Sequence, residues 1–182
     1  MRNIASTFIV GLLAFGLCAG CNKSERPSVK DNVNASLKAN NLGDLSVAED
    51  RDKGVVTLTG DVSTNDQKTQ AENLAHNAAP GYVVANEVGV RPTGAESQAK
   101  SVDSNLDDAI ESNFKASLKA HKNLDDQSIR YSAKNGTLVL DGTVKTAAQR
   151  QEATQLAKKV PNVQQVVNKI EVKTSKMSTS GE

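Results

Sequence analysis

GVVTLTGDVSTNDQ, from Gly54 to Gln67, reads as a strand, a turn and the start of a helix. Val56, Leu58 and Val62 alternate with Val55, Thr57 and Thr59, the period of two that puts side chains on opposite faces of a strand. Thr64-Asn-Asp-Gln67 then matches a capping box, in which a Thr hydroxyl and a Gln side chain satisfy the N–H groups left over at a helix start. Two glycines ahead of a helix also raise the question of a phosphate cradle. Their placement speaks against it. In a phosphate loop the glycines lie between strand and helix, whereas Gly54 opens the strand, Gly60 lies inside it and Ser63-Thr64 makes the turn. A glycine inside a strand marks a bulge or a close approach.

Shifted by 82 residues, the stretch lands on GTLVLDGTVKTAAQ, Gly136 to Gln149. Gly54/Gly136, Leu58/Leu140, Gly60/Gly142, Val62/Val144, Thr64/Thr146 and Gln67/Gln149 coincide, and the register holds to Val90/Val172. Upstream, ASLKA occurs at Ala35–Ala39 and again at Ala116–Ala120, offset by 81. This is an internal duplication, and two copies argue for tandem domains rather than a solenoid.

Each copy opens with an amphipathic helix, striped by Val29, Val33 and Leu37 or by Leu106, Ile110, Phe114 and Leu118. Ser28 with Asp31, and Ser104 with Asp107, have the composition of N-terminal caps. A short strand around Val47 or Ile129 leads into a turn, and Asn135-Gly136 is a hairpin signal. The alternating strand follows, then the capped helix, stopped by Pro80-Gly81 or Pro161-Asn162. A last strand carries Val84, Val88 and Val90, or Val166, Ile170 and Val172. The expected fold is α+β: two tandem αββαβ units over 29–90 and 104–172, each a three-stranded mixed sheet with two helices on one face. The hairpin is antiparallel and the crossover through the helix parallel and right-handed. The segment 91–103, RPTGAESQAKSVD, is polar and without a hydrophobic period, so a flexible linker is expected there. Residues 173–182 have the composition of a disordered tail.

The first twenty residues stand apart. Arg2 is positive, and Phe8–Leu17 is an apolar run of ten, too short to span a bilayer. Ala19-Gly20-Cys21 resembles a bacterial lipobox, whose cysteine is lipidated and becomes the new N-terminus. Cys18 stands where that pattern usually has Leu. The reading is a lipoprotein signal peptide over 1–20 and a lipidated tether over 21–28, with Cys21 as the attachment site. An ordinary secretory signal that leaves Cys21 as a free thiol is the alternative. Once the leader is cleaved, no cysteine remains to pair with Cys21.

Order and motif together resemble the BON domain, named for bacterial OsmY and nodulation proteins. The resemblance rests on Gly54-Val-Val-Thr-Leu58-Thr-Gly60-Asp-Val62, on Gly136-Thr-Leu138-Val-Leu140-Asp-Gly142-Thr-Val144, and on Val160-Pro-Asn-Val163-Gln-Gln-Val166-Val-Asn168-Lys-Ile170. Asn162 replaces the usual glycine, and Tyr82 stands where copy one should have valine. The resemblance implies a periplasmic or envelope-associated protein, linked to osmotic stress and envelope integrity, with phospholipid surfaces as the ligand. It implies no catalytic residues and no cofactor. Combined with a lipidated Cys21 followed by Asn22, it implies an outer-membrane lipoprotein.

The residues themselves offer little chemistry. His76 and His121 lack neighbouring ligands for a metal, and Asp50-Arg-Asp52 and Asp125-Asp126 lack the spacing of a calcium loop. Aromatics are 3% of 182 residues, Trp is absent, and the formal net charge is +1, which argues against an aromatic-lined pocket and against a nucleic-acid partner. The two copies differ in charge. Residues 29–90 hold five Lys/Arg and nine Asp/Glu, net −4; residues 104–172 hold ten and eight, net +2. Lys115, Lys119 and Lys122 follow helical spacing on the first helix of copy two, where copy one has Asn34, Lys38 and Asn40-Asn41. They are the candidate contacts to anionic phospholipid; a solvated face, with Glu111 paired to Lys115, is the plainer reading. Gly54, Gly60, Gly136 and Gly142 are structural. The function expected is a non-enzymatic envelope lipoprotein that contacts anionic membranes. The alternatives are an adaptor that binds an envelope protein through an exposed sheet face or an edge strand, and a soluble periplasmic factor that protects against osmotic stress.

Overall fold

The computed structural model describes residues 26–173. The leader 1–20, Cys21, the tether up to Glu25 and the tail from Thr174 lie outside them. Copy one contains α1 (Lys30–Ala39), β1 (Ser46–Asp50), β2 (Val55–Val62), α2 (Asn65–Ala78) and β3 (Val83–Val90). Copy two contains α3 (Glu96–Ala120), α4 (Lys122–Asp125), β4 (Ser128–Lys134), β5 (Thr137–Val144), α5 (Ala147–Lys158) and β6 (Gln165–Val172). The sheets have strand order β1-β2-β3 and β4-β5-β6, antiparallel at the hairpin and parallel at the crossover. The duplication is thus one α+β fold made twice.

The alternating strands place the core as their period requires. Val56, Leu58, Val62, Val84 and Val88 are buried with Val33, Leu37, Ala71 and Ala75 in copy one. Leu138, Leu140, Val144 and Ile170 are buried with Ile110, Phe114, Ala153 and Leu156 in copy two. Both capping boxes form: Thr64 accepts from the Gln67 N–H, Thr146 from the Gln149 N–H, and each glutamine side chain returns the bond. Asn135 and Gly136 both have positive φ, as a two-residue hairpin turn needs. Gly142 sits where a Cβ would lie 1.9 Å from the Ser128 carbonyl oxygen, so the glycine admits a neighbouring strand. Asn162, at φ 67, fills the left-handed position that a glycine fills elsewhere; asparagine tolerates it because its short polar side chain bonds locally. Tyr82 is buried, and its hydroxyl donates to the Pro27 carbonyl at 2.9 Å, which ties the entry of copy one to β3.

Four expectations need correction. The segment 91–103 is no flexible linker, because α3 begins at Glu96. Ala95, Glu96, Gln98, Ala99 and Lys100 are good helix formers. Extending a helix that already exists requires no new nucleus, so no hydrophobic stripe is needed. Arg91 holds the extension by an ion pair with Asp103. Ser104 and Asp107 therefore lie inside the helix rather than at its cap. Asp107 instead accepts from the Asn135 and Gly136 N–H groups, at 2.8 and 3.1 Å, and fixes the β4–β5 turn. Nor does Ser28 cap α1; Glu49 of β1 does so from across the fold, accepting from the Val29 N–H at 2.8 Å and from the Ser28 hydroxyl. Leu106 is exposed, unlike Ile110, Phe114 and Leu118. Finally, copy two has three helices, not two. The extra turn α4 carries the buried Leu124, whose counterpart Leu42 is followed by Gly43, a poor helix former, where copy two has Asp125.

The two sheets also meet each other. Val55, Ala85 and Val167 form a buried cluster with Val139 against it, all from the faces that carry no helix. Ion pairs join the copies at Lys53–Asp141 (2.5 Å), Asp50–Lys169 (2.9 Å) and Glu87–Lys134 (3.8 Å). The sheet face offered to a partner in the adaptor reading is therefore covered by the other copy. Among the described residues β3 pairs only with β2, so its outer edge presents open backbone groups. Copy two caps them with side chains. Gln165 accepts from the Asn86 N–H at 2.9 Å and donates to the Val84 carbonyl at 3.0 Å. Thr137 donates to the Asn86 carbonyl, and Asn135 to the Glu87 carbonyl. The arrangement is not reciprocal. The positions of copy one that match Asn135, Thr137 and Gln165 are Lys53, Val55 and Val83, and among the described residues none of them bonds to the outer edge of β6.

Candidate functional site

Lys115 and Lys119 project from α3 into solvent, four residues apart and so on one flank. Lys122 does not continue that helix. The chain breaks at His121, and Lys122 opens α4. The three lysines thus sit on two elements that turn around one corner of copy two. Among the described residues none of them forms an ion pair, and Glu111 is not the partner of Lys115: its carboxylate accepts from the Ala133 N–H at 2.9 Å, at the edge of β4. Three cations are left with their charge directed outward.

Beneath Lys115 and Lys119 is a slot of about 160 Å³, walled by Leu118, Leu124, Ile129 and Tyr131, with Asp125 and Gln127 at its mouth. Leu118 comes from α3, Leu124 from α4, Ile129 and Tyr131 from β4. The Tyr131 ring packs edge-on against Phe114, centroids 5.2 Å apart, which fixes its position in the wall. Burial, and then the charge of Glu111, push the tyrosine pKa up, so it stays a neutral donor at physiological pH. The arrangement couples Lys115 and Lys119 to a recess of mixed polar and apolar lining. The sequence shows the lysines by their spacing, but the recess draws on three elements, and no single period reveals it.

The remaining candidates are architectural or separate. Gly54 and Gly136 lie at the two hairpin turns, Gly60 and Gly142 inside β2 and β5. His76 lies on α2; His121 joins α3 to α4, with its ring bonded to the Ser117 carbonyl. Among the described residues no cluster of three metal-ligating side chains occurs, and no helix is long and apolar enough to cross a membrane.

A duplicated αββαβ unit with this glycine pattern has a counterpart among known families. The model of the BON domain matches residues 27–92 and again 106–174. The chain belongs to the BON-domain family. Among relatives, osmotically-inducible protein Y of Escherichia coli is 28% identical over 146 residues, 78% of this chain and 71% of that one. An uncharacterized protein in the gshII 5′ region of Anaplasma centrale is 28% identical over 127 residues, 69% of this chain and 80% of that one. Among solved structures, CdsD, a structural protein of the type III secretion system of Chlamydia trachomatis, aligns at TM-score 0.30 and 18% identity. That alignment covers 81% of this chain and 63% of that one, less than two thirds of its length.

Proposed function

We propose that this protein is a non-enzymatic lipoprotein of the cell envelope, anchored through Cys21 at the periplasmic face of the outer membrane, and that copy two contacts anionic phospholipid. The observation that carries the reading is the corner of α3 and α4, where Lys115, Lys119 and Lys122 form no ion pair among the described residues and the first two line a slot walled partly by Leu118, Leu124 and Ile129. Each basic residue near an anionic surface contributes about 1 kcal/mol, so three give a weak, salt-sensitive contact. The acyl chains supply most of the membrane residence, and the lysines set orientation. Copy one, with its acidic balance, acts as the spacer. Similarity to an osmotically-inducible protein supports a role in osmotic stress, and support of envelope integrity is part of the same proposal.

Vesicle co-sedimentation of unlipidated residues 22–182 tests this. Binding should favour anionic over neutral vesicles, fall at high salt, and be lost when Lys115, Lys119 and Lys122 are changed to Glu. Binding that ignores lipid charge or these substitutions sinks the reading. A second reading, an adaptor for an envelope protein, gains from one observation: among the described residues the outer edge of β6 lacks the side-chain caps that copy two gives β3, and such an edge can accept an added strand.

A further inference from the structure

The helix-free faces of the two sheets do not close completely. Above a floor of Val55, Ala85 and Val139 a cleft of about 400 Å³ opens to solvent. That is within the size range of small-molecule sites, and it lies at a domain junction, where such sites concentrate. Its walls carry polar groups that the protein leaves underused. The Glu87 side chain is only 17% exposed, yet its one ion pair among the described residues, with Lys134, is 3.8 Å long, beyond hydrogen-bond reach. Burial pushes its carboxyl pKa up, helped by the charge of Asp107, and the charges of Lys134 and Lys169 do not offset it. Arg130 is 75% exposed and among the described residues pairs only with Asp141, at 3.4 Å, a carboxylate already engaged by Lys53. Thr57 and Ser132 line the same cleft, and their hydroxyls bond to no other described residue.

We propose that the cleft binds a small zwitterion with a primary ammonium and a carboxylate, an amino acid or a dipeptide. The ammonium donates to Glu87 and completes its charge pairing. The carboxylate meets the Arg130 guanidinium, whose planar fork suits it. Thr57 and Ser132 offer hydroxyls to the polar atoms between. A quaternary ammonium fits less well: it has no N–H to donate, and the aromatic residue at the cleft, Tyr131, turns its ring to Phe114 rather than into the space. Both sheets build the walls, so the site exists only while the copies are docked, and ligand binding stabilises the docked pair. This inference is independent of the lipid contact, which lies on α3 and α4.

Titration of the full-length protein in detergent micelles, with glycylglycine, glycine betaine and acetate as probes, tests it through amide shifts and calorimetry. Glycylglycine should saturate at millimolar concentration, moving the amides of Thr57, Glu87, Arg130 and Val139, and should bind at least about tenfold more tightly than betaine or acetate. Glu87→Gln and Arg130→Ala should each weaken it about tenfold, with an unfolding midpoint that does not fall for Glu87→Gln. Thr57→Val, which keeps shape and removes a hydroxyl, should weaken it several-fold. No saturable shift up to about 20 mM, equal binding of all three probes, or binding indifferent to Glu87 and Arg130 would overturn the proposal.

Discussion

Gln165→Ala should destabilise the copy that does not contain it. The Gln165 side chain bonds to the Asn86 N–H at 2.9 Å, to the Val84 carbonyl at 3.0 Å and to Glu72 at 3.2 Å. Asn86 is 2% exposed and Val84 1%, so truncation strands two backbone groups away from water. A buried group left unpaired costs about 1–3 kcal/mol. Water entering the vacated space recovers part of that, and the net loss should be about 2–4 kcal/mol in copy one. The protein supplies its own reporters: of its two tyrosines, Tyr82 belongs to copy one and Tyr131 to copy two, and Trp is absent. Urea unfolding followed by tyrosine fluorescence in the Tyr82→Phe and Tyr131→Phe backgrounds separates the copies. The variant should lower the stability reported by Tyr82 while moving that reported by Tyr131 by less than about 1 kcal/mol. A loss below about 0.5 kcal/mol in copy one, or a loss confined to copy two, would show that the capped edge of β3 does not depend on Gln165.

Three further outcomes are expected. Gly142→Ala should cost more than about 3 kcal/mol, because the new Cβ meets the backbone oxygen of Ser128 at 1.9 Å; Gly60→Ala meets the Leu45 side chain at 3.0 Å and should cost about 1–3, the two being compared by thermal unfolding. Thr64→Ala and Thr146→Ala should each cost about 1 kcal/mol in urea titrations and add in the double variant, since they cap separate helices in separate copies. Burial pushes the Asp50 and Asp141 carboxyls up, but hydrogen bonds and charge from Lys169 and Lys53, with the Gly142 N–H, outweigh it and hold both below the usual aspartate value. Their contribution is therefore present above about pH 3.9 and lost as pH falls through the depressed values. Asp50→Asn and Asp141→Asn should lower stability at neutral pH and converge with the parent protein in acid, and an unchanged gap at low pH would refute the assignment.

The sequence reveals what is periodic and local. Val56, Leu58 and Val62 name the core face of β2, and Thr64 with Gln67 names the start of α2, because each signal lies within one element. The extension of α3 through residues 96–103 carries no stripe to announce it, since a helix already nucleated by Ile110, Phe114 and Leu118 can continue through merely compatible residues. The docking of the sheets leaves only a faint trace: Val55, Ala85, Val139 and Val167 put apolar side chains on the face away from the helices, where a solvated sheet would be polar. Gln165, the residue that seals β3, looks in the sequence like any surface glutamine. The candidate lipid site divides the same way, with Lys115 and Lys119 visible from their spacing and the Leu124–Tyr131 wall visible only in three dimensions.

The one-sided sealing of β3 sets an order of events during biogenesis. Gln165 follows Asn86 by 79 residues, so copy one is complete in the growing chain before its seal exists. For that interval the newly made chain carries a strand edge open to any neighbouring strand, including the same edge on another emerging chain. The second half of the protein thus serves the first as a covalently attached chaperone. A chain interrupted after Val90 would lack that service and should self-associate, whereas copy two owes copy one no comparable debt.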